Sequence, residues 1–147
     1  MLSCFAPHAP RRLLALGAVA AAMTLAACGD DESTDSEEAT AVTPEQAITE
    51  VGEVRSGLDE SLAAYEGGDA EAAEQLAGDA YLEHFELVEG PLEEADAELN
   101  EELEELIREE LRAAIVDGEA ASKVEGLVDE ANAGLDEAER ALEGAGA

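Results

Sequence analysis

From residue 44 onward, apolar residues recur every three or four positions and never in strict alternation. That is the pattern of helices with one buried stripe, not of strands. The first stretch opens at Thr43-Pro44, a capping residue followed by proline at the first helical position. Its stripe is Ile48, Val51, Arg55, Leu58, Leu62 and Tyr65. Gly67-Gly68-Asp69 ends it and caps the next. The second is expected from about Ala70 to Glu89, with Ala77, Tyr81, His84, Phe85, Val88 and Leu92 on its stripe. Gly90-Pro91 should kink or stop it. Asp96 caps the third, which places Leu99, Leu103, Leu106, Glu110 and Ala113 on one face and Ile107, Leu111, Ala114 and Ile115 beside it. Asp117-Gly118 closes it. Ser122 and Glu125 have the spacing of a capping box for the fourth, whose stripe is Val124, Val128, Ala131, Leu135, Ala138 and Leu142. Four helices with short loops predict an all-α protein, an antiparallel up-down four-helix bundle over residues 44–147.

The core this pattern offers is thin. From residue 44 there are 13 Leu, 3 Ile and 6 Val, padded with alanine. Gly52, Gly57, Gly126 and Gly134 fall inside helices, at ~1 kcal/mol each relative to alanine. A marginal fold is expected, one that gains from salt, a bound cation or a partner.

Upstream of residue 44 the pattern changes twice. Residues 1–27 read as a secretory leader, with Arg11-Arg12 ahead of an apolar run of fifteen residues from Leu13 to Ala27. A membrane span needs ~20 residues. The run ends Leu25-Ala26-Ala27-Cys28-Gly29, which resembles the lipobox of a bacterial lipoprotein. Cys28 would carry the lipid and hold the protein to the membrane on its extracytoplasmic side. Arg11-Arg12 also fits a twin-arginine export signal. Residues 28–43 are polar, acidic and of low complexity, so a disordered tether is expected. Cys4 leaves with the leader and Cys28 is acylated. No thiol then remains for a disulfide or a cysteine metal site.

Charge narrows the function further. The net charge is −31, and all 38 acidic residues follow Cys28. Without Arg11 and Arg12 the mature chain keeps five cations against those 38 carboxylates, a net −33. This argues against nucleic acid or anionic headgroups as direct partners of the domain. It favours cations, basic partners, or solubility at high salt of the kind seen in halophilic adaptation.

Asp79–Leu92 holds the rarest side chains: Tyr81, Phe85 and His84, the only histidine outside the leader. Glu83, Glu86 and Glu89 follow one another at intervals of three. Carboxylates with one imidazole suit Fe, Mn or Zn, and carboxylates alone suit Ca or Mg. The plainer reading makes His84 a hydrogen-bonded residue at the core edge, among glutamates too common to signify. The di-iron signature Glu-x-x-His is missing, since Tyr81 lies three before His84. Arg55 and Glu110 fall on stripes where aliphatics are expected. They suggest a buried ion pair setting helix register, or a polar core site in which Glu110, with Glu86 or Glu102, holds a cation. No nucleophile–base pair or phosphate loop is visible, so no enzymatic activity is expected.

One stretch of motifs resembles a known family. Tyr65 followed by Gly68-Asp69, then Ala80-Tyr81-x-x-x-Phe85-Glu86 with Glu89, then Leu111-Arg112-Ala113-Ala114-Ile115 and Gly118, is similar to the helical extracytoplasmic domain of bacterial high-affinity iron permeases of the oxidase-dependent iron transporter family. The resemblance spans roughly residues 45–142 and is most specific at Tyr81 to Glu86. It implies a module that serves uptake of iron or another divalent cation, with a permease or other uptake component as partner. The family's membrane signature, Arg-Glu-x-x-Glu within spanning helices, is absent, so this chain would carry nothing across a membrane itself.

Overall fold

The computed structural model describes residues 42–146. The leader, Cys28 and most of the tether lie outside the described residues. Within them the chain is an all-α bundle of four helical rods. There is no strand among the described residues, and none of their helices is long and apolar enough to cross a membrane.

The first rod is α1 (Pro44–Glu66). Thr43 caps it as expected: its hydroxyl accepts from the Gln46 N–H at 3.3 Å, and the Gln46 side chain accepts from the Thr43 N–H at 2.9 Å. The second rod is α2 (Ala70–Asp79), a π-helical turn π1 (Ala80–Phe85) and α3 (Glu86–Ala95). The third is α4 (Ala97–Glu104), a second π-helical turn π2 (Glu105–Leu111) and α5 (Arg112–Val116). The fourth is α6 (Ala121–Ala145). Asp69 and Asp96 cap the second and third rods by accepting from the Ala72 and Leu99 N–H groups. Gly68 and Gly118 adopt φ +86° and +69°, the left-handed geometry that lets the first and third rods end.

Side-chain contacts fix an antiparallel order. Ser61 donates to the Ala73 carbonyl and Glu50 meets His84, so the first two rods run in opposite directions. Arg112 meets Glu74, Leu103 lies against Gly134, and Arg55 meets Asp136 and Glu139. The Tyr65 hydroxyl donates to the Glu119 carbonyl at 2.5 Å and ties the loop between the last two rods to the end of the first.

Three expectations need correction. Pro91 neither stops nor ends the second rod, which runs on to Ala95. Gly90 is exposed and Pro91 half-buried, and the helix continues through both. Ser122 is not a cap: α6 begins at Ala121 after Ala120, and Ser122 is exposed inside its first turn. The third correction concerns the stripes. Leu99, Leu103, Ile107, Leu111 and Ile115 are the buried line of the third rod, while Leu106 is half-buried and Glu110 and Ala113 are exposed. Spacings of four overshoot an α-helical turn by about 40° each. The π turn, with its i→i+5 bonds, holds more residues per turn and keeps the line straight. Ala73, Ala77, Tyr81 and Phe85 repeat the device around π1, where the Glu86 N–H reaches the Tyr81 carbonyl five residues back.

Candidate functional site

The five side chains singled out as metal ligands face four different places. His84 lies at the edge between α1 and π1, half-buried, with Nδ1 2.8 Å from Glu50 Oε2. Glu83 is exposed and lines the same shallow groove as His84, with Glu53, Glu60 and Asp79. Glu86 is exposed and faces another groove, beside Gly90-Pro91. Glu89 accepts a hydrogen bond from the Tyr81 hydroxyl at 2.6 Å. Glu110 is exposed in a groove between the third and fourth rods, where Glu102, Glu105 and Glu130 join it. Glu102 lines the same groove as Glu110 and Glu86 does not, but both residues are exposed rather than in the core. No group of three or more His, Cys, Asp or Glu among the described residues is arranged to hold a metal ion. A resident iron centre therefore does not fit this donor set.

The Arg55–Glu110 pair is also not formed. Arg55 sits beside the buried line Ala47, Val51, Val54, Leu58 and Ser61, and turns to the fourth rod. It reaches Asp136 at 3.0 Å, Glu139 at 3.4 Å and the Asn132 carbonyl at 3.3 Å. It ties the first rod to α6 at a half-buried seam, not to the third rod. The first and third rods are diagonal, and π2 turns Glu110 outward, so the two never meet.

A polar seam between the second and third rods was not anticipated. Arg112 pairs with Glu74, and its guanidinium lies over Gly78, close enough that a Cβ there would just touch it at 3.7 Å. One turn away, Arg108 pairs with Glu104 and lies over the Tyr81 ring, 5.9 Å from its centroid. Tyr81 also stacks against Phe85, with centroids 5.7 Å apart. Burial first, and then the hydrogen bond to Glu89, push the Tyr81 phenol up to about 12. Asn100, 8% exposed, carries a buried Oδ1 with no hydrogen-bond partner.

Three of the five cations among these residues, Arg55, Arg108 and Arg112, thus serve as ties between or along rods. Six of the 38 acidic residues precede residue 42, which leaves 32 carboxylates on the described chain against those five cations. Nearly all face water. Comparison with known proteins returned no match: no family model, no curated protein and no solved structure is similar to this chain.

Proposed function

We propose that this protein is a lipid-anchored extracytoplasmic module whose acidic bundle gathers cations, iron among them, for an uptake system. The observation that carries this reading is the combination of excess and dispersal. The described residues hold 32 carboxylates for five cations, and the candidate ligands are spread over four faces. Such a surface raises the local concentration of cations through its summed field. Carboxylate oxygens suit hard cations, and no single cage selects among them. The partner, a permease or another uptake component, would take the ion from this atmosphere.

The test is equilibrium dialysis of the full chain against Fe, Mn, Zn and Ca at low and high salt. Several weak sites, lost as NaCl rises toward molar concentrations, support the reading. One tight site that survives high salt refutes it, as does an absence of excess binding at low salt. In the same assay Glu86→Gln should alter the total only slightly, since no one carboxylate dominates.

A further inference from the structure

A groove lies where the described chain enters the bundle. Its volume is about 440 Å³, and Val42, Leu87, Pro91 and Ala145 line it between two glutamates, Glu86 and Glu94. We propose that this groove docks a short basic and apolar segment of a membrane-embedded protein partner, one large apolar side chain flanked by Lys or Arg.

Two observations select that occupant. The floor is apolar: Val42, Leu87, Pro91 and Ala145 line it, and Leu87 is 41% exposed there. The rim is acidic: Glu86 and Glu94 flank that floor, and none of the cations among the described residues lines the groove. A Lys or Arg from outside complements the two carboxylates, while the apolar floor takes the side chain beside it.

The location follows from chain connectivity. Val42 and Pro44 are groove residues, and Cys28 is fourteen residues upstream of Val42. On the reading of Cys28 as the anchor, that length holds the groove within about 50 Å of the bilayer. A juxtamembrane segment of an integral protein lies within that range. The bilayer surface itself is a poor occupant, because anionic headgroups would meet Glu86 and Glu94.

The experiment uses the full chain in detergent and two labelled peptides of equal positive charge, one of lysine and leucine and one of lysine and serine, read by fluorescence anisotropy at physiological ionic strength. The leucine peptide should bind at least tenfold tighter. Leu87→Asp should erase that difference, with Leu87→Ser as a second variant and circular dichroism to show that both fold. Leu82→Asp, at an exposed leucine outside the groove, should leave it intact. Equal binding of the two peptides, or wild-type binding by Leu87→Asp, overturns the proposal. So does a dimer in light scattering that Leu87→Asp dissolves, which makes a second copy the occupant. A gain of affinity on deleting residues 29–41 also overturns it, because the chain's own upstream segment then fills the groove. Cation dialysis of Leu87→Asp keeps this outcome separate from the uptake reading, since the substitution adds only one carboxylate to the 32 and should leave cation binding nearly unchanged.

Discussion

Replacing Gly57 by alanine should destabilise the bundle, whereas the same change at Gly52, five residues earlier in α1, should stabilise it. Both glycines sit inside the helix, and alanine recovers up to ~1 kcal/mol of helix propensity at either. At Gly52 a new Cβ meets nothing within 4 Å, so the gain is kept whole. At Gly57 it lands 2.7 Å from the Ala80 Cβ and 3.5 Å from the Ala80 Cα. Alanine has no rotamer to move into, and its backbone is held by π1. The two rods must therefore separate, and overpacking of that kind costs about 1–3 kcal/mol. Gly57→Ala should then lie about 1–3 kcal/mol below Gly52→Ala, and at or below wild type. Urea unfolding followed by far-ultraviolet circular dichroism in fixed salt measures both variants. For a domain of this size each kcal/mol moves Tm by about 4–8 °C. Equal stability of the two variants would falsify the close approach of the first two rods at Gly57 and Ala80.

Three further outcomes are expected. Cys28→Ser should release the protein from the membrane fraction or block its processing, and unchanged retention and maturation would remove the lipobox reading. Tm should climb from ~0.01 M to ~1 M NaCl as the Debye length shrinks from ~30 to ~3 Å, because repulsion among 32 carboxylates outweighs the few ties made by five cations; a flat curve means the charges do not oppose folding. The Tyr81 phenol is raised from 10.0 to about 12, so its contribution to stability is whole below pH 10 and is lost as pH climbs through 12. Alkaline unfolding should therefore weaken in Tyr81→Phe, and a wild-type pH profile in that variant counts against a buried Tyr81 phenol bonded to Glu89.

Much of the architecture was legible because helical punctuation is local. Thr43-Pro44, Asp69 and Asp96 cap where they stand, and Gly68 and Gly118 close turns that only φ > 0 allows. A stripe of period 3.6 does not show the π turns. Their signal lies in Leu99, Leu103, Ile107, Leu111 and Ile115, five aliphatics at unbroken intervals of four. An α-helix carries such a line away from the core, so the spacing itself calls for a wider turn. A strict period of 3.6 puts Glu110 inside, and the wider turn puts it in water. The partners of His84, Arg55 and Arg112 were illegible for another reason. Glutamate is so frequent that a neighbour at any given position says nothing, and only the register of adjacent rods selects Glu50, Glu139 and Glu74.

Register also separates what the fold needs from what the surface offers. Arg55 and Arg112 cross seams between rods, and Arg108 braces the aromatic pair under the second seam. Small residues let the first two rods approach, Ser61 against Ala73 and Gly57 against Ala80, and Gly78 lies beneath Arg112 at the next seam. The thin aliphatic core is therefore supplemented by close backbone packing and a few directed ion pairs. Exposed ion pairs are worth little, but half-buried ones at a seam constrain which rods meet and at what level. The outward carboxylates take no part in this. Glu83, Glu86 and Glu110 form no salt bridge among the described residues, so their charge is free to act on whatever approaches from solution. Exchange of any one for glutamine should relieve repulsion without loosening a seam, so each such variant should unfold at an equal or higher urea concentration than wild type at low salt.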